Sequence, residues 1–299
     1  VRDVLPQSPA AEAGLQKRDV ILSCEGVGVS SSAALVDAVG RKRPDETVTL
    51  MIRRDDVERE VQVQLSAVPD VVPEMLTTSV IPAPVEGAVP AEKLGRASAT
   101  LPGDGAANYW RYVPQQYNPA HAYGLLVWLH PAGDTMEAAV FKAWQQHCDR
   151  RGMILVAPKA ADLSGWTAGE TEVVRELVEQ VQRDYTIDPQ RISVHGFAEG
   201  GRFAWDVAFK YRDLFRGVIT ASAPLREAPP DNDPDFRVQM CVVGGANDPR
   251  RGRIEKSVEV LRDAKFPTRL IVVEETAADY PPESTVEELA RWLDVLDRI

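Results

Sequence analysis

Apolar residues follow two regimes along these 299 residues. Through about residue 67 they come in short runs between turn residues. VRDVL reads as a strand, SPAAEAGL as a short helix punctuated by Pro9 and Gly14, and RDVILSCEG as a strand ending in a turn. SSSAALVDAVG reads as a helix with Ser32 as N-cap and Gly40 past its end, and TVTLMIRRDDVEREVQVQL as two period-two strands around an acidic turn. From about residue 106 the runs become continuously apolar: YGLLVWL, MILVA, RISVH, RGVITA, VQMCVV and TRLIVV. That is the pattern of strands buried on both faces. Helical periodicity separates most of them, over roughly 136–151, 170–185, 202–211 and 254–264. STVEELARWLDVLDRI closes the chain as a helix, with Ser284 and Glu287 as a capping box and Val286, Leu289, Trp292, Leu293 and Leu296 as its buried stripe.

The predicted class is α/β, a mostly parallel sheet with helices on both faces, preceded by a small β-rich domain. Between them Pro69, Pro73, Pro82, Pro84, Pro90 and Pro102 punctuate a stretch without periodicity. It reads as an interdomain linker or as an irregular arm along one domain. The expected division is 1–67, 68–105 and 106–299.

A net charge of −11 disfavours nucleic acid or an anionic membrane as partner, because both need a basic face. Cys24, Cys148 and Cys241 are odd in number and widely spaced, so neither a disulfide framework nor a zinc site is signalled, and no cofactor is expected. Asp231, Asp233 and Asp235 alternate in DNDPDF but lack the glycine and distal glutamate of a calcium loop; with Asp162 they read as solvated loop residues, not metal ligands. No apolar run approaches the ~18 residues of a membrane span. The chain starts at Val1, inside the first patterned domain, and reads as a fragment or processed product.

The chemistry concentrates in RISVHGFAEGG. A strand entering Gly-x-x-x-Gly and turning at once into a helix suits a nucleophile on a strained elbow, where flanking glycines keep Cβ atoms out of a crowded turn. The central residue is Ala198, which has nothing to deprotonate. With its approach YTIDPQ and the upstream YGLLVWLHPAGDT, the motif resembles the polyhydroxybutyrate-depolymerase and feruloyl-esterase branch of the α/β-hydrolases, over most of residues 106–299. That resemblance implies the nucleophile position at Ala198, the acid at Asp248 in VVGGANDPR and the base at Ala278 in TAADYPPES. It implies oxyanion-hole N–H groups at Ala132 and Glu199, His130 as a residue holding that loop, and Trp166 as a pocket wall or core aromatic.

The histidines are His121, His130, His147 and His195, and none follows the elbow, whereas the fold orders its triad Ser, Asp, His. His195 reads as a packing residue, Asp248 as turn chemistry and Glu199 as a solvated charge. Losing a triad serine or histidine costs about a millionfold in turnover. Binding and the oxyanion hole can retain roughly 10³–10⁴-fold.

The opening run V-x-x-V-L-P-x-S-P-A-A-x-A-G-L-x-x-x-D-V-I-L-S, within Val1 to about Leu65, resembles a PDZ domain of the HtrA (DegP-like) protease type. The resemblance implies capture of peptide C-termini by β-augmentation, with the groove helix at 32–39 and the family's opening strand lying before Val1. Leu35 and Val39 line either that groove or the core. Two functions are expected from these readings. One is a non-catalytic binding or scaffolding module, the C-terminal part of an HtrA-like serine protease that is periplasmic or secreted by resemblance. The other is an ester hydrolase with a rearranged site that uses Glu199, Asp248 or a base from outside the usual loop.

Overall fold

The computed structural model describes residues 1, 4, 8–66, 89–102, 107–233, 236 and 238–297. The chain divides into two compact units, residues 1–77 with 233–237 and residues 78–232 with 238–299. Arg2, Asp3 and Leu5 of the expected VRDVL strand, most of the proline-rich stretch and Asp235 lie outside the described residues.

The first unit is a four-stranded antiparallel sheet with two helices. Helix α1 (Pro9–Glu12) starts where Ser8 Oγ accepts the Ala11 N–H and Pro9 fixes the first helical φ. Strands β1 (Val20–Cys24) and β2 (Val27–Gly28), helix α2 (Ser32–Gly40), and strands β3 (Thr47–Arg54) and β4 (Val57–Gln64) follow, in sheet order β2-β1-β3-β4. Asp55 and Asp56 both take positive φ (51° and 60°) between the paired Arg54 and Val57, the two-residue turn whose twist matches a hairpin. Ser31, not Ser32, caps α2, accepting the Ala34 N–H at 3.1 Å. Leu35 and Val39 pack, half-buried, against a core of Leu15, Cys24, Val48, Leu50, Ile52 and Val63.

Asp19, 1% exposed, links the start of β1 to the end of β3. Its oxygens accept Arg54 Nε and an Arg54 terminal N–H at 2.7 Å each, and the Gln16 N–H at 2.8 Å. The bond from Arg54 keeps the Asp19 carboxyl below its ordinary 3.8 despite burial. A group with a depressed folded pKa contributes stability above 3.8 and loses it as pH falls through the folded value. Asp19→Ala is therefore expected to destabilise the first unit near neutrality, with the difference from the parent shrinking below about pH 4. Denaturant melts of the two proteins across that range check it; a constant difference would refute the ionic account.

In the second unit, β5 (Gly95–Thr100) and β6 (Asn108–Val113) precede β7 (Tyr123–Leu129), β8 (Met153–Pro158), β9 (Ile187–Phe197), β10 (Gly217–Ala221), β11 (Gln239–Gly245) and β12 (Thr268–Val273). The eight-stranded order is β12-β11-β10-β9-β7-β8-β6-β5. Strands β7 through β12 pair in parallel, while β6 and β5 run antiparallel on one edge. The stretch read as linker therefore ends early, because β5 belongs to this sheet. Its alternation of small and polar residues, GRASAT, suits an edge strand but gives no apolar run.

Helices α3 (Glu137–Arg151), α4 (Glu170–Asp184), α5 (Glu199–Lys210), α6 (Arg251–Asp263) and α7 (Glu283–Asp294) supply the layers. The expected capping box on α7 does not form. Pro282 is the N-cap, without a side-chain bond, and its carbonyl already takes the Val286 N–H, so Ser284 lies inside the first turn.

Arg191, from the approach to the elbow, ties β9 to α7. It donates to Asp294 Oδ1 at 3.0 Å and to the Arg151 carbonyl at 2.9 Å, and Arg151 stands 3.5 Å from Asp294 Oδ2. Asp294 and Arg191 are 1% and 4% exposed.

Candidate functional site

The elbow is present in full. Residue 198 holds φ 51°, ψ −112°, between the end of β9 and the start of α5. The Ala198 N–H bonds the Ala221 carbonyl at 2.9 Å, and its own carbonyl takes the Arg202 N–H, so the helix starts three residues earlier than the apolar periodicity suggested. Such backbone costs on the order of 1–3 kcal/mol for a residue with a Cβ and persists only where the surroundings impose it. Here three glycines impose it. A Cβ on Gly196 would lie 2.2 Å from the Gly200 carbonyl oxygen, one on Gly200 2.1 Å from that of Leu129, and one on Gly201 2.5 Å from Ala223 Cβ.

The contact of Gly200 with Leu129 and His130 sets the loop after β7 beside the elbow. His130, 1% exposed, bonds the Pro131 carbonyl through Nδ1 (2.7 Å) and accepts the Ala160 N–H at Nε2 (3.1 Å). These bonds fix one neutral tautomer, and burial lowers the imidazole pKa further. The Trp166 indole N–H donates to the His130 carbonyl at 2.8 Å, and its ring stacks on Phe203 at 4.8 Å. Ala132 is exposed in this loop, and Gly133 N–H bonds the Leu163 carbonyl. In α5, Arg202 is the first N–H to close the helical ladder, so the N–H of Glu199 precedes it, as an oxyanion donor must.

Glu199 is not the freely solvated charge that the sequence suggests. Its carboxylate bonds Arg202 at 2.7 Å and also bonds Arg226, and its side chain is 26% exposed. Arg202 stands at i+3 on the same helix, a spacing that allows such a pair, whereas Arg226 comes from 27 positions away and no local spacing announces it.

The loops expected to carry the acid and the base lie side by side. Asn247 N–H bonds the Thr276 carbonyl at 2.8 Å, and a Cβ on Gly245 would lie 2.1 Å from the Ala277 carbonyl oxygen. Asp248 lies in the turn after β11, but it is buried, 4% exposed. Burial pushes its carboxyl up; the Arg250 N–H, the Ser222 hydroxyl and the Arg250 side chain outweigh that and hold it below 3.8. Oδ1 accepts the Arg250 N–H at 2.8 Å and Nε at 3.2 Å, while no protein donor among the described residues reaches Oδ2. Ser222, buried and at φ 51°, continues β10 between the elbow and this turn. At the base position stands half-buried Ala278.

His195 has a different task. It is fully buried; Nδ1 bonds the Ile219 carbonyl (3.2 Å) and Nε2 faces the Tyr280 hydroxyl (3.0 Å), which accepts the Trp144 indole N–H at 2.6 Å. With Nδ1 donating, Tyr280 donates to Nε2. Burial pushes the His195 pKa down to about 4. Tyr280, in the loop that would carry the base, thus pins that loop to β9. Among the described residues no three His, Cys, Asp or Glu side chains form a metal set, and no helix is long and apolar enough to cross a membrane.

A family model described as a PDZ domain matches residues 1–65. Over 67 residues the chain is 40% identical to a protein of Marinomonas sp. named "Probable periplasmic serine endoprotease DegP-like", covering 22% of this chain and 14% of that one. Over 157 residues it is 26% identical to an acetylxylan esterase of Coprinopsis cinerea, covering 48% of this chain and 42% of that one. The chain thus spans less than half the length of these curated relatives. Among solved structures, a ferulic acid esterase superposes with a TM-score of 0.54 at 18% identity, over 67% of this chain and 97% of that one. The chain joins a PDZ domain at residues 1–65 to a second unit with the α/β-hydrolase fold.

Proposed function

We propose that this chain is a binding and scaffolding module in which the hydrolase-fold unit has kept the architecture of an esterase site without its ester-cleaving chemistry. The observation that carries the reading is alanine at a fully formed elbow: the strain, the glycine contacts and the neighbouring oxyanion loop are all kept around a methyl group. Ala278 at the base position supports it, as does the engagement of His195 in a core hydrogen-bond chain. In this reading the PDZ domain takes peptide C-termini. The similarity to DegP-like endoproteases supports a place in an exported HtrA-like protein.

An esterase with a rearranged site is the competing reading, favoured by the buried, ionised Asp248 and by the similarity to an acetylxylan esterase. Against it, the carboxylate oxygens of Glu199 are already engaged by two arginines.

Short-chain p-nitrophenyl esters separate the two. The parent chain is expected to exceed the uncatalysed rate by no more than the roughly 10³–10⁴-fold that binding and an oxyanion hole can supply without a nucleophile. Turnover well above that, abolished by Glu199→Gln or Asp248→Asn, would establish the rearranged site. Ala198→Ser supplies the nucleophile alone and is expected to gain less than about tenfold, because a serine without a positioned base is a weak nucleophile. A gain approaching the millionfold scale of a working triad would reveal an unrecognised base.

A further inference from the structure

Beside the elbow lies a second feature that the lost chemistry does not use. A groove of about 310 Å³ opens between the segment after β10 and the outer face of α6, lined by Leu225, Glu227, Ala228, Arg253, Lys256, Ser257 and Val260. Its volume sits at the lower end for small-molecule sites, about 300–1,000 Å³.

The groove is tied in place. Buried Ser257 donates to the Arg253 carbonyl at 2.7 Å and accepts the Leu225 N–H at 3.0 Å, stapling the segment to the helix. Leu225, Ala228 and Val260 give it an apolar lining. At its edge the first turn of α6 carries no acidic residue, although the positive end of a helix favours one. The cations around that turn are not equivalent. Arg250 pairs with Asp248, Arg251 with Glu255 and Lys256 with Glu259, whereas the exposed Arg253 guanidinium has no hydrogen-bond or ion-pair partner among the described residues. A net-negative chain thus keeps an unpaired guanidinium on the rim of an apolar groove.

The geometry points to a binding site for a small monocarboxylate with an apolar tail, its carboxylate forked by Arg253 and its tail along Leu225, Ala228 and Val260. Arg suits this task because its planar N–H pair matches a carboxylate bidentately. Lys256, paired with Glu259, adds no net charge, and Glu227 discriminates against ligands with more than one negative charge. The site is independent of whether the elbow turns over esters.

The test titrates octanoate into the full chain and follows backbone amide resonances, with octylammonium as the charge-inverted probe. Saturable shifts at Leu225, Ala228 and Val260 are expected, with a Kd on the order of 1 mM for so small a ligand. Octylammonium is expected to leave them in place. Arg253→Glu is expected to weaken octanoate at least about tenfold, while Arg251→Glu, one turn position away and outside the groove, changes it less than about twofold. Equal shifts with octylammonium would reduce the site to an apolar surface. Equal losses in the two arginine variants would reduce it to general electrostatics, and shifts confined to other residues would place the ligand elsewhere; each overturns the proposal.

Discussion

Gly200→Ala is expected to disrupt the second unit outright. The added Cβ would sit 2.1 Å from the Leu129 carbonyl oxygen and 2.5 Å from that of His130, both main-chain atoms with no rotamer to yield. Either α5 lifts from β7 or the β7 end is displaced, and both undo packing in a core that includes Leu129, Phe203 and Ala204. Overpacking usually costs about 1–3 kcal/mol. A backbone-on-backbone clash lies beyond that range, so a loss of more than about 3 kcal/mol is expected, a large share of the ~5–15 kcal/mol of an ordinary domain. Gly252→Ala in α6 is the internal control. Nothing lies within 4 Å of its Cβ position, and relief of glycine's helical penalty is expected to raise stability by about 0.5–1 kcal/mol. Denaturant midpoints of the two variants therefore move in opposite directions. A Gly200→Ala protein as stable as the parent would mean that the close approach is not required by the fold.

The second large effect is expected where β9 meets α7. Asp294→Ala removes the carboxylate that two arginines share, leaving Arg191 buried without its ionic partner. Breaking such a pair costs about 3–5 kcal/mol, mostly through the uncompensated charge and not through the lost attraction. The double variant Arg191→Met/Asp294→Leu removes the buried pair but leaves Arg151, 12% exposed, without that carboxylate, and is expected to recover part of the loss. Equal destabilisation in the single and double variants would show that packing of α7 dominates instead.

The apolar runs located six of the eight strands of the second unit: five lie in the buried middle of the sheet, and β12, half-buried at the edge, still carries a continuous apolar run. Strand β5 escaped because an edge strand of alternating small and polar residues gives no such run. Strand β6, NYWRYV, is buried at four of six positions, yet its aromatics are interrupted by an arginine that leaves the sheet to bond the Lys93 and Glu92 carbonyls. Helix starts were misplaced where caps came from the main chain. Pro282 offers only its carbonyl, and Ala198 begins α5 through strained backbone.

The sequence by itself determined the identity of the groups at the site: alanine at 198 and 278, aspartate at 248, and no histidine among the residues after 195. It also determined that an elbow could form, because the glycines that permit it are local in the chain. Only the tertiary structure decided what the remaining groups do. Asp248 reads as a turn residue until its burial is seen, Glu199 as a solvated charge until Arg226 arrives from 27 positions away, and His195 as a lone packing histidine until Tyr280 reaches it across 85. Local backbone geometry is written in neighbouring residues. Burial and charge pairing depend on partners that chain connectivity does not specify.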